Sequence, residues 1–175
     1  MFLKKYFIVI SLVISSYIFA QEAKSKVAIV VSVYHESITE KLLDAATQCL
    51  YQNGLQPEDI SIAYVPGSFE IPYTVKLLAE TKRFDAIICL GALITSNNSD
   101  WTYIADHVLK NIAQVSLIFD IPVTWGMFLF DDKEQAQEAA NNFETNRGWE
   151  AAQAAIRMIG LTKQIMQFAQ TEPLA

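Results

Sequence analysis

Residues 86–94 read AIICLGALI, nine consecutive apolar residues in a chain of 175. The isoleucines of this run suit a strand buried on both faces, the position that the centre of a parallel sheet offers. Moving outward, VAIVVSVY (27–34) reads as a second buried strand, and ISIAYV (60–65) as a third, ended by Pro66-Gly67. Pro122–Phe130 supplies a fourth. Between these runs the period changes to that of helices. Ile38–Asn53 places Leu42, Leu43, Ala46 and Leu50 on one face, with Gly54 as its stop. Further helices are expected from Pro72 to about Thr81, from Asp100 to Phe119, from Asp132 to Asn142 with a charged face, and from Trp149 to Gln170 after a turn at Asn146-Arg147-Gly148. Strands alternating with helices over short connections define an α/β domain built on a parallel sheet of at least four strands.

Composition narrows the function. The length suits one domain. A formal net charge of −6, with no Lys/Arg cluster, excludes a nucleic-acid binder. Cys49 and Cys89 each sit in an apolar stretch and read as buried free thiols, and no metal site follows from two cysteines and two histidines at these spacings. Met1–Ala20 reads as a signal peptide: a short positive start with Lys4 and Lys5, then the apolar run YFIVISLVISSYIFA (6–20) before polar QEAKSK. Left uncleaved, it would act as a signal anchor. The expected organisation is leader 1–20, short linker 21–25, one domain over 26–170 and a C-terminal tail 171–175, in a secreted or periplasmic protein.

In open α/β sheets ligands bind beyond the carboxyl ends of the strands. That rule selects Ser32–Glu36, Pro66–Glu70, Ala92–Asp100 and Phe128–Asp131. The second of these lies within VPGSFEIP (65–72), which resembles the V-P-G-[AS]-[FY]-E-I-P of lumazine synthases. KVAIVVSVYHESITEKLL (26–43), FDAIICLGALI (84–94), IPVTWGM (121–127), EQA (134–136) and NRGWEAA (146–152) resemble that family in the same order. The resemblance implies a flavodoxin-like three-layer α/β/α sandwich that assembles as pentamers or multiples of them, with sites between neighbouring subunits. It also implies condensation of 5-amino-6-(D-ribitylamino)uracil with 3,4-dihydroxy-2-butanone 4-phosphate to 6,7-dimethyl-8-ribityllumazine, without a cofactor.

The resemblance places the ring-stacking aromatic at Tyr34, next to His35 where the family often carries Asn. It places the ribityl and uracil contacts at Gly67, Ser68, Phe69 and Glu70, and the strand end beside the pyrimidine at Ala92, Leu93 and Ile94. The phosphate half departs from the family pattern. Thr95, Ser96, Asn97 and Asn98 replace its R-G-[AE]-T-like segment, and Asp100 stands at its His position. Ala139 and Phe143 stand where the family has Arg and Lys, and Arg147 is the positive group left in that segment. A carboxylate repels an arriving phosphate, and an ordinary Asp is a poor proton donor at neutral pH. His35 is the candidate substitute base. His107, about 10 Å beyond Asp100 on the same helix, reads as a surface or interface residue. Trp101, Trp125 and Trp149 read as packing or subunit-contact residues. Two functions follow: a lumazine synthase with impaired catalysis, and a non-catalytic exported binder of riboflavin or a related ribityl-ring ligand.

Overall fold

The computed structural model describes residues 24–94, 100–142 and 146–171. Four strands, β1 (Val27–Ser32), β2 (Ile60–Val65), β3 (Ala86–Ile94) and β4 (Val123–Phe130), form one parallel sheet in the order β2-β1-β3-β4. Every residue of β1 and β3 is buried, as the unbroken apolar runs require of central strands. Between the strands lie α1 (Glu36–Gln52), α2 (Ile71–Glu80) and α3 (Asp100–Phe119), with α4 (Lys133–Asn141) and α5 (Arg147–Thr171) after β4.

Strand alternation divides the apolar residues between two layers. Ile29, Val31, Ile88 and Leu90 pack against Leu42, Ala46 and Leu50 of α1, Ala136 and Ala140 of α4, and Ala152 and Ala155 of α5. On the other face Val30, Ile87, Cys89 and Leu93 meet Val75 and Ala79 of α2 and Val108 and Ile112 of α3. Each fully buried Leu, Ile or Val contributes about 1.5–3 kcal/mol, so both layers are substantial. The result is the expected three-layer sandwich with a central parallel sheet. The two cysteines fall on opposite sides of that sheet, Cys49 on α1 in the first layer and Cys89 on β3 in the second, both as free thiols.

One expected boundary is overturned. Arg147 and Gly148, read as a turn, are the first two residues of α5. The cause is Asn146, whose side-chain oxygen accepts the backbone N–H groups of Gly148 (2.9 Å) and Trp149 (3.4 Å) and so caps the helix. Its amide nitrogen donates to the carbonyls of Ala140 (2.8 Å) and Lys41 (3.3 Å), clasping α4 and α1 to the start of α5. Gly148 is there for proximity rather than turning: a Cβ would lie 2.0 Å from the Leu42 carbonyl oxygen.

Lys24 and Ser25, assigned to the linker from sequence, are fastened to the domain. Lys24 Nζ meets the buried Asp59 carboxylate at 2.7 Å, and Lys163 Nζ donates to Ser25 Oγ at 3.0 Å. The expected leader 1–20, residues 21–23 of the expected linker and residues 172–175 of the expected tail lie outside the described residues. Among the described residues no helix is long and apolar enough to cross a membrane.

Candidate functional site

From β1 the chain turns to α1 on one face of the sheet, and from β3 to α3 on the other, so a crevice opens between their carboxyl ends. There Tyr34, Gly67, Ser68, Phe69, Leu93, Trp101 and Ile104 line a cavity of about 280 Å3. Three of the four segments picked out by the strand-end rule meet in it.

Each wall has a local cause. The Val33 N–H donates to the Val65 carbonyl at 2.9 Å, carrying the ladder one residue past β1 and bringing Tyr34 beside Pro66-Gly67. The Tyr34 N–H then donates to Ser32 Oγ at 3.2 Å. His35 adopts the left-handed conformation (φ 64°) as the N-cap of α1, a backbone that Asn also tolerates. Its ring meets Tyr34 edge-on, centroids 4.5 Å apart. Burial, and then the nearby charge of Lys133, hold the His35 pKa below its ordinary value. At neutral pH His35 is therefore a neutral imidazole, and Lys133 is a cation at this corner that sequence reading did not single out.

Opposite Tyr34, a single 3-10 turn over Ser68–Glu70 presents Phe69 and leads into α2. The Glu70 carboxylate folds back over Gly67, where a Cβ would stand 3.0 Å from its Oε2. Leu93 faces the cavity, whereas Ala92 and Ile94 point into the layer beneath α1 and α5, so those two offer a ligand only backbone. Trp101 and Ile104, one helical turn apart on α3, close the third side, and His107 follows them at the same spacing. His107 stacks nearly parallel on Phe69, with centroids 5.7 Å apart and planes at 14°. Trp101 is thus a cavity wall as well as a core residue, and His107, exposed as a surface or interface residue should be, also backs the aromatic wall. Trp125 and Trp149 pack against the two cores as expected.

Among the described residues, those that the resemblance assigns to the phosphate region do not line the slot. Arg147 sits at the start of α5, paired with Glu150 at 2.6 Å. Ala139 lines a separate hollow of about 250 Å3 with Gln135, Glu138 and Asn142, which offers a carboxylate and no cation. Thr95, Ser96, Asn97, Asn98 and Phe143, and the side chain of Asp100, lie outside the described residues. Among the described residues no three His, Cys, Asp or Glu side chains gather to hold a metal ion.

A doubly wound parallel sheet with an aromatic slot beyond its strand ends has the geometry of a small-ligand site. The 6,7-dimethyl-8-ribityllumazine synthase family model matches residues 24–163, and the chain belongs to that family.

Proposed function

We propose that the protein binds a ribityl-bearing pyrimidine in this slot and condenses it with 3,4-dihydroxy-2-butanone 4-phosphate to 6,7-dimethyl-8-ribityllumazine, at a reduced rate. The slot carries the reading: Tyr34, Gly67–Phe69 and Leu93 converge as walls for a planar ring. The condensation needs an amine and a ketone held together, which proximity alone accelerates strongly. It also needs proton transfer and a grip on phosphate. With Asp100 at the family's His position, turnover is expected to fall by about 10²- to 10⁴-fold. With Ala139 and Phe143 in place of cations, each lost charge-assisted hydrogen bond weakens phosphate binding by about 1.5–3 kcal/mol.

The working unit is a homo-oligomer, a pentamer or a multiple of it. Ile62 and Tyr64 on edge strand β2, and Tyr73 and Leu77 on α2, are large apolar side chains exposed on the single chain, which supports burial against a second copy. Met1–Ala20 directs export to the periplasm or the exterior, or anchors the chain if uncleaved.

A second reading, an exported binder of riboflavin or a related ribityl-ring ligand without turnover, is supported by the same slot and by Ala139 lining a separate hollow whose charged group is Glu138. One paired measurement separates the two: product formation from both substrates, and quenching of riboflavin fluorescence on titration. Slow but saturable product formation is expected. Tight riboflavin binding with no product establishes the binder instead.

A further inference from the structure

The last α5 residue in the core is Ile159, and the helix runs on from there to Thr171, about 18 Å at 1.5 Å per residue. None of residues 160–169 is buried. Over this stretch Leu161, Ile165 and Met166 are exposed, while Lys163, Gln164 and Gln167 take the other side of the helix, so the extension is amphipathic. Met158, Ile165 and Met166 face Ile121 and Pro122 across a hollow of about 280 Å3. Leu117, between the Ser116 and Asp120 of that hollow, is 79% exposed. None of these side chains is on β2 or α2, whose exposed apolar residues suit contact between copies.

This surface lies where the strands begin, and where the chain enters the sheet. Lys163 Nζ reaches Ser25 Oγ at 3.0 Å, so α5 holds the residues that lead into β1. Two acids of this end, Asp59 and Asp85, are engaged by Lys24 Nζ and the Lys26 N–H, each at 2.7 Å. Lys82 and Arg83, just before β3, and Lys163 add positive charge that an anionic lipid surface attracts. The apolar run 6–20 ends four residues before Lys24, about 14 Å at full stretch. Ile18 stands where an A-x-A-like cleavage site wants a small residue. The run is also shorter than the about 20 residues of a spanning helix, so a second apolar contact would add to its hold.

We infer that this end of the domain rests on a lipid bilayer: the run 6–20 stays uncleaved in the membrane, and Leu117, Leu161, Ile165 and Met166 enter the interfacial layer beside it. The inference rests on the reading of Met1–Ala20 as an export leader. Burial in that layer removes from water the apolar surface that the single chain leaves exposed. The short tether keeps the surface close to the bilayer, so the second contact forms at high effective concentration. The slot, at the opposite ends of the strands, then opens away from the membrane.

The test uses the full chain with vesicles of phosphatidylcholine and phosphatidylglycerol. A nitroxide is attached to Ile165→Cys or, at the slot end of α1, to Ser37→Cys; native Cys49 and Cys89 are buried, so the introduced thiol takes the label. On vesicles the label at 165 should collide more with oxygen and less with a water-soluble nickel chelate, and the label at 37 should not change. Leu161→Ser combined with Met166→Ser should weaken vesicle binding about tenfold or more. Both side chains are exposed, so the melting temperature of the free chain should hold. A label at 165 that stays in water while the chain floats with the vesicles overturns the inference alone, as does equal vesicle binding by the double variant. Spin–spin broadening at 165 without vesicles assigns the surface to a second copy and also overturns it. An exported chain whose intact mass begins at Gln21 overturns the retained run. Failure of the full chain to float at all overturns the leader reading, and the inference with it.

Discussion

Replacing Gly148 with Ala sets two effects of opposite sign against each other. Helix propensity favours Ala over Gly by about 0.5–1 kcal/mol inside a helix, and Gly148 is helical. Against this, the new Cβ would stand 2.0, 2.7 and 2.9 Å from the carbonyl oxygen, carbonyl carbon and Cα of Leu42. All three are backbone atoms of α1, so no rotamer relieves the clash, and α1 and α5 must part by about 1 Å or more to restore ordinary contact. Overpacking of this kind costs about 1–3 kcal/mol. Parting the helices also strains the Asn146 bond to the Lys41 carbonyl, worth about another 1 kcal/mol. The clash outweighs the propensity, leaving a net loss of about 1–3.5 kcal/mol. For a domain of this size that is a fall in melting temperature of about 2–14 °C. Gly160 of the same helix is the internal control, since nothing lies within 4 Å of a Cβ there. Gly160→Ala should gain about 0.5–1 kcal/mol, a rise of about 1–4 °C. Circular dichroism melts of the three proteins decide the matter. If Gly148→Ala melts at or above wild type, the contact between α1 and α5 is looser than described, and the reasoning fails.

Two further outcomes bear on the slot. Because the folded His35 binds its proton less readily than the unfolded chain does, stability should fall as pH drops through the window below about 6.5 and level off once the folded pKa is passed. His35→Asn keeps a side chain suited to the left-handed backbone and removes that titration, so its melting temperature should depend less on pH between 5 and 8; parallel profiles would exclude His35 as the source. Phe69→Ala should weaken riboflavin binding about tenfold in a fluorescence titration. Phe69 is 59% exposed, so the loss in stability should be small, and an unchanged dissociation constant would remove the Phe69 ring from the site.

Local pattern carried the architecture and missed contacts between distant segments. AIICLGALI gave away β3 because a strand covered on both faces must be apolar throughout. The period of Leu42, Ala46 and Leu50 gave α1 in the same way. The start of α5 was missed because Asn-Arg-Gly carries turn residues in a row, and only the packed structure reveals Asn146 as a cap and Gly148 as a point of close approach. The strand-end rule and the motif single out Tyr34, Ser68, Phe69 and Leu93, and the structure brings these four to one cavity. That rule treats a segment as a unit, so it could not separate Leu93 from Ala92 and Ile94, which alternation sends into the opposite layer. The stacking of His107 on Phe69 escaped because Phe69 precedes α2, far away in the chain, and no periodicity links the two.

The placement of Cys49 and Cys89 has a consequence for where the chain can live. Divided by the sheet and enclosed by its two cores, the thiols cannot join without unfolding, and burial raises both pKa values, so little thiolate forms to attack an oxidant. The folded domain would therefore keep the same covalent structure in a reducing compartment and in an oxidising one, with no disulfide to form in either.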